Sequence, residues 1–292
     1  MRIALFGKNA NNNSLDFYSR LISGLQMHHC KIYLNEYLYK ILKFKIALPK
    51  DILLYNSFSD LNNNVEYLFS IGGDGTMLDS VSMVRNTGIP ILGFNTGRLG
   101  FLSSISKEEL DLSLNYFFNK KFTLEKRNLL KLETDEHLFG NQSFALNEFT
   151  ILKKDFSSMI TIHVYINDVF LNTYWSDGLI ISTPTGSTAY SLSCGGPILT
   201  PDSENFIITP IASHNLTVRP LVIPDKSIIK LKVEGRSENF LVTLDSRQET
   251  IGTDKELLIK KEDFQINLIQ LPNKNFLATI RDKLMWGLDK RN

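Results

Sequence analysis

VEYLFSIGGDGTMLDSVSMV, residues 65–84, decides the reading of the fold. Residues 65–71 form an apolar run of strand length, closed by Gly72 and Gly73, and the pattern over 76–84 is helical. A buried strand, a glycine turn and a helix make one half of a βαβ unit. Working outward, residues 2–6 are a short apolar run ending in Gly7. Residues 14–27 carry Leu15, Tyr18, Leu21, Ile22 and Leu25 at helical spacing, and 89–94 is strand-like again. Strand and helix in this rhythm predict parallel pairing with helices outside.

The texture changes near Phe122. From there β-branched and aromatic runs dominate, several alternating with period two, as in Thr161, His163 and Tyr165 against Ile162, Val164 and Ile166. That predicts a largely antiparallel domain. The expected architecture is an α/β N-terminal domain over 1–122, a parallel sheet with flanking helices, plus an all-β C-terminal domain over 123–272. A helical tail over 273–292 is expected to dock back on the first domain.

Composition narrows the class. The chain has 292 residues, 43% hydrophobic and 22% charged, which suits a globular protein with a sizeable core. A formal net charge of +1 argues against a broad nucleic-acid surface. Cys30 and Cys194 show no paired spacing, so both are expected as free thiols in a reducing compartment. The apolar start is too short for a signal peptide or a membrane span. A cytoplasmic protein with no membrane or nucleic-acid partner is expected.

Four stretches carry chemistry. In the first, Gly72 and Gly73 permit a sharp turn and a close approach to backbone N–H groups, and the following helix N-terminus favours an anion. Asp74 sits there with the same sign of charge as a phosphate. A metal, a hydroxyl giving up its proton, or a helix N-cap would each justify it. The second is DGLIISTPTGSTAYSLSCGGPIL, 177–199, with six hydroxyls between Gly/Pro breaks. It suits a ligand with ribose and phosphate groups, or else a Ser/Thr turn. The third is Asn147-Glu148, an amide beside a carboxylate at a strand end. The fourth is GFNTGRLGFLS, 93–103, where Asn95 opens a glycine-rich turn at the carboxyl edge of the sheet and Arg98 offers a cation. The five histidines, at 28, 29, 137, 163 and 214, lack zinc-site spacing. No P-loop, no G-x-G-x-x-G after the first strand and no G-x-S-x-G is present.

These residues resemble the NAD kinases. The match runs through GGDGT at 72–76, NTGRLGFL at 95–102, Asn147-Glu148, the long block at 177–193 and ITPIASHNLTVRPLVI at 208–223. GGDGT alone also occurs in lipid kinases and phosphofructokinase relatives; the 177–193 block is far more specific. The resemblance implies phosphoryl transfer from ATP, or polyphosphate, to the 2′-hydroxyl of the adenosine ribose of NAD, giving NADP. It implies a divalent cation, usually Mg2+, a homodimer or homotetramer, and a site between the two domains. It makes Asp74 the catalytic proton acceptor, with no residue assigned as a metal ligand. The NAD contacts it implies are Asp74, Gly75, Asn95, Asn147, Glu148, Asp177, Thr188, Ala189, Tyr190, Ser191, Leu192 and Ser193. Of these, Asn147 and Glu148 would hold the adenosine ribose and Tyr190 would offer a stacking face. The sequence departs from the family pattern at Trp175, Asp79 and Ser213, and at Asp245-Ser-Arg247-Gln248, where Arg247 and Gln248 compete for the place of a glutamine.

Overall fold

The computed structural model describes residues 1–10, 12–97, 100–103, 105–135, 138–154, 159–235, 239–253, 255–272 and 274–286. The chain forms two compact units, Met1–Lys126 with Ile266–Asn292, and Arg127–Gln265.

The first unit is a parallel sheet. Its strands are β1 (Arg2–Phe6), β2 (Lys31–Asn35), β3 (Leu53–Tyr55), β4 (Tyr67–Ile71) and β5 (Ile91–Asn95), in the order β3-β2-β1-β4-β5, with β6 (Ile105–Ser106) beside β5. The helices are α1 (Asn12–Met27), α2 (Glu36–Leu42), α3 (Phe58–Leu61), α4 (Asp74–Val84) and α5 (Leu110–Phe118). In β4 and β5, Leu68, Phe69, Ile71, Leu92 and Phe94 are all buried, which explains why these strands read as continuous apolar runs. Phe69 meets Phe94 and Phe117 edge-on at 5.6 and 5.0 Å, in a core shared with Leu21 and Ile22 of α1. Helix α4 starts two residues before the expected Thr76. Gly73 is its N-cap, and its carbonyl accepts from the Thr76 and Met77 N–H groups.

The second unit is antiparallel. Its strands are β7 (Thr123–Glu133), β8 (Phe144–Ala145), β9 (Glu148–Lys153), β10 (Ile160–Ile166), β11 (Val169–Ser176), β12 (Gly178–Ser182), β13 (Asn205–Ile211), β14 (Leu221–Pro224), β15 (Ile229–Glu234), β16 (Asn239–Leu244), β17 (Arg247–Gly252) and β18 (Glu256–Gln270). One sheet runs β14-β13-β12-β9-β16-β17, and β11-β10-β15-β18 forms a second antiparallel run. The alternation read in 160–166 is real: Ile160, Ile162 and Val164 are buried. They join Phe149, Ile181, Phe206 and Phe240 of the six-stranded sheet in one core. A short helix, α6 (Tyr190–Ser193), follows β12.

Strand β18 divides its length. Leu257 and Ile259 pair with β15 in the second unit, whereas Leu268 pairs in parallel with Ile91 in the first. Ile269 and Leu271 join the first core. The compact units divide at residues 126 and 265, beside the expected 122 and 272. Helix α7 (Phe276–Leu284) belongs to the first unit. It is N-capped by the Asn275 side chain, and Lys274 just before it pairs with Glu109 at 2.8 Å. Of the expected tail, Asn273 and 287–292 lie outside the described residues. Among the described residues no helix is long and apolar enough to cross a membrane. Cys30 and Cys194 are both free thiols.

Candidate active site

Asp74 is the first helical residue of α4, not its cap, and it looks away from its own helix. Its Oδ2 accepts from the Phe101 N–H at 2.7 Å, and its Oδ1 from Leu102 and Ser103 N–H at 3.0 Å each. Three successive backbone donors thus hold one carboxylate, as in the concave anion sites that consecutive N–H groups form. Gly100 makes the fit possible: a Cβ there would lie 1.8 Å from Asp74 Oδ1. The same loop engages Asn95, whose amide donates to the Ser103 carbonyl at 3.3 Å and accepts from Gly97 N–H at 2.7 Å. Asp74 and Asn95 therefore both bond to Ser103, with Gly97 on Asn95 and Phe101 and Leu102 on Asp74; Arg98 lies outside the described residues. Gly72 is required by packing, because a Cβ would strike Thr76 Oγ1 at 2.2 Å. Gly73 and Gly75 are not, since a Cβ at either meets nothing within 4 Å. Packing of the chain itself gives no reason for those two glycines.

Beside α4, at the carboxyl edge of β1 and β2, lies a cleft of about 510 Å³ lined by Gly7, Lys8, Asn9, Asn35, Tyr37 and Met83, among others. Asp79, the departure noted on α4, pairs there with Lys8 at 2.5 Å.

In the second unit, Glu148 is the first residue of β9, the strand flanked by β12 and β16, and Asn147 immediately precedes it; Glu148 pairs with Ser182 and Phe149 with Leu244. Both residues are buried, Glu148 at 9% exposure. Glu148 Oε2 has no hydrogen-bond partner within the protein. Burial, and then the charge of Asp245, push the Glu148 carboxyl up to about 8, while the Tyr190 backbone N–H pulls the other way. Tyr190 is exposed at the start of α6. Its phenol is raised by burial of the hydroxyl and by the fields of Cys194, Asp177 and Glu148. Glu148, Tyr190 and Asp177 thus share one neighbourhood. Asp177 pairs with Lys153 Nζ at 2.6 Å.

The hydroxyl-rich block is mostly committed internally. Thr183 donates to the Leu146 carbonyl, Ser187 to Pro184, Thr188 to Thr185, and Ser191 pairs with Thr209 at 2.8 Å. Of the expected contacts, Thr188, Ala189 and Leu192 are half-buried, Ser193 is exposed, and Ser191 is buried. Arg247 donates to the carbonyls of Gln142 and Phe144, and Gln248 is exposed.

Sequence reasoning missed two features. One is the 101–103 backbone that cradles Asp74; the glycine-rich turn was visible, its target was not. The other is Asp245, whose carboxylate accepts from the N–H groups of Leu146, Asn147 and Glu148 at 2.8, 2.8 and 3.2 Å.

Among the described residues no group of three His, Cys, Asp or Glu side chains is placed to hold a metal ion. Magnesium needs no such cage, since one or two carboxylates, waters and substrate phosphates commonly suffice.

The family model of the ATP-NAD kinase N-terminal domain matches residues 3–122, and that of the ATP-NAD kinase C-terminal domain matches 146–271. An NAD kinase of Flavobacterium psychrophilum is 48% identical over 294 residues, covering all of both chains. A yeast NADH kinase solved with NADH shares the fold, with a TM-score of 0.89 at 23% identity over 99% of this chain and 89% of its own. An NAD kinase from Archaeoglobus fulgidus solved with ATP has a TM-score of 0.76 at 25% identity, covering 98% of this chain and 99% of its own. By these matches over its whole length, the chain belongs to the NAD kinase family.

Proposed function

We propose that this enzyme transfers the terminal phosphoryl group of ATP to the 2′-hydroxyl of the adenosine ribose of NAD, giving NADP, with Asp74 Oδ2 as the proton acceptor. The observation that carries the reading is the asymmetry of the Asp74 cradle. A carboxylate offers about two acceptor sites per oxygen. Among the described residues, Oδ1 accepts from Leu102 and Ser103, whereas Oδ2 accepts only from Phe101. One lone pair on Oδ2 is left for a hydroxyl.

The step balances simply. The ribose oxygen forms a bond to the terminal phosphorus, the bond from that phosphorus to the ADP oxygen breaks, and the ribose proton passes to Asp74. A hydroxyl is a weak nucleophile, and a carboxylate within hydrogen-bond reach takes its proton as transfer proceeds. A magnesium ion bound with the triphosphate supplies charge neutralisation. The open backbone at Gly73 and Gly75 and the N-terminus of α4 favour phosphates beside Asp74. The cleft beside α4 suits the donor nucleotide, because open α/β sheets bind ligands outside the carboxyl ends of their strands. Asn147 and Glu148 hold the acceptor ribose. The ATP in the Archaeoglobus structure and the NADH in the yeast structure support nucleotides as the substrates.

The test is Asp74→Asn, assayed for NADP formation. Asparagine keeps an oxygen in the cradle but accepts no proton. The rate should fall by roughly 10²–10⁴-fold, the usual worth of a positioned base, with the KM for NAD little changed. A folded variant that makes NADP at the parent's rate would overturn the assignment.

A further inference from the structure

We propose that Asp245 is a positioning residue for nucleotide binding, which shapes the turn that presents Asn147 and Glu148. The proposal rests on the reading of those two residues as nucleotide contacts. Asp245 opens the two-residue turn between β16 and β17 with φ +53°, a conformation that asparagine, aspartate and glycine tolerate. Turn preference accounts for the residue type but not for where its side chain goes. The carboxylate points inward and accepts from three consecutive N–H groups, those of Leu146, Asn147 and Glu148. Its own N–H donates to the Glu148 carbonyl at 3.0 Å.

The opposite side of the turn is held just as firmly. Thr183 N–H donates to the Asn147 carbonyl at 2.9 Å, and the Thr183 hydroxyl to that of Leu146. Gly186 is pressed so close that a Cβ would sit 2.2 Å from the Asn147 oxygen. Every peptide group from 146 to 148 is therefore fixed by a partner distant in sequence. Within this rigid frame one group is left over, Glu148 Oε2, which is nine-tenths buried and without a partner. A buried carboxyl oxygen lacking a partner is costly, so its persistence points to a ligand hydroxyl or amine that meets it.

Asp245 also acts on Glu148 through its charge. The ionisable groups around Glu148 are Asp245 on the hairpin turn and, from α6, the Tyr190 phenol; Asp177 and Cys194 act on that phenol, and Arg247 faces Asp245. Removing the Asp245 charge lowers the pH at which Glu148 ionises.

Two variants test the proposal. Asp245→Gly accepts φ +53° without strain and removes the carboxylate. Asp245→Asn keeps one acceptor oxygen but turns an amide toward one of the donors. In both, the KM for NAD should rise, roughly tenfold in the glycine variant and less in the asparagine variant, a loss of about 1.4 kcal/mol at tenfold. The kcat should change less than KM. The alkaline limb of the pH profile of KM should move to lower pH, a change that a general loss of packing does not produce. Asn147→Ala and Glu148→Gln are the controls. If they raise the KM for NAD while both Asp245 variants keep the parent KM and pH profile, the positioning role is wrong and the contact reading survives. If the controls leave KM unchanged, the contact reading itself falls. Should the glycine variant fail to fold, the asparagine variant decides by the same two readouts.

Discussion

Replacing Glu148 with glutamine should make the second unit more stable at neutral pH, by an amount that depends on pH in a defined way. The carboxyl is pushed from the ordinary 4.5 up to about 8, chiefly by burial and secondly by the charge of Asp245. The folded state therefore binds this proton more tightly than the unfolded chain. Between 4.5 and about 8 the folded protein keeps a proton that the unfolded chain has released, so stability falls as pH rises through that window and is flat above it. From pH 4.5 to 7 the loss is roughly 2.5 pH units at about 1.36 kcal/mol each, on the order of 3 kcal/mol. Glutamine carries no proton to lose and shows no such slope. Urea unfolding of parent and variant, followed by fluorescence of Trp175, should give curves that nearly coincide at pH 4.5. At pH 7 the variant should be ahead by about 3 kcal/mol. A difference that stays constant across this range within about 1 kcal/mol would mean that Glu148 ionises normally, and the account of its burial would be wrong. The same variant should bind NAD less well, so stability and function move in opposite directions.

Gly100→Ala would put a methyl group 1.8 Å from Asp74 Oδ1 and displace the carboxylate. Steady-state assays should show kcat lower by roughly a hundredfold, the order expected for a displacement of about 1 Å, with the KM for NAD little altered. A kcat within about twofold of the parent would show that the cradle does not set the position of Asp74. Phe206→Ala empties a fully buried site in the second core and should cost about 3–5 kcal/mol in urea unfolding, while folded molecules keep their activity.

Much of the fold is legible because burial writes itself into local pattern. Strand β4 is covered on both faces and reads as an unbroken apolar run, and β10 is covered on one face and alternates. The start of α4 was harder to see, because its cap is a glycine and has no side chain to signal with. The end of β18 changes units without any break in its strand-like sequence, so the division near 265 left no local mark. At the site, residue types were visible but their destinations were not. Thr183, Ser187 and Ser191 look like ligand groups in one dimension, yet they spend their hydroxyls inside the unit. Asp245 looks like a turn residue and turns out to grip a segment far upstream.

That grip bears on how the protein matures during synthesis. The bonds from Asp245 to residues 146–148 span 97 to 99 residues of chain. When a ribosome has just added Leu244, Asn147 and Glu148 were made long before, but the group that sets their backbone does not yet exist. Strand β16, which flanks β9, must also arrive before the central strand of the sheet has both neighbours. Contacts of such long range form late, since their loop-closure entropy must be met first. On the proposed reading of Asn147 and Glu148 as nucleotide contacts, a nascent chain can display the whole Asn-Glu dipeptide before it can grasp a dinucleotide, and this capacity arrives as the closing hairpin docks.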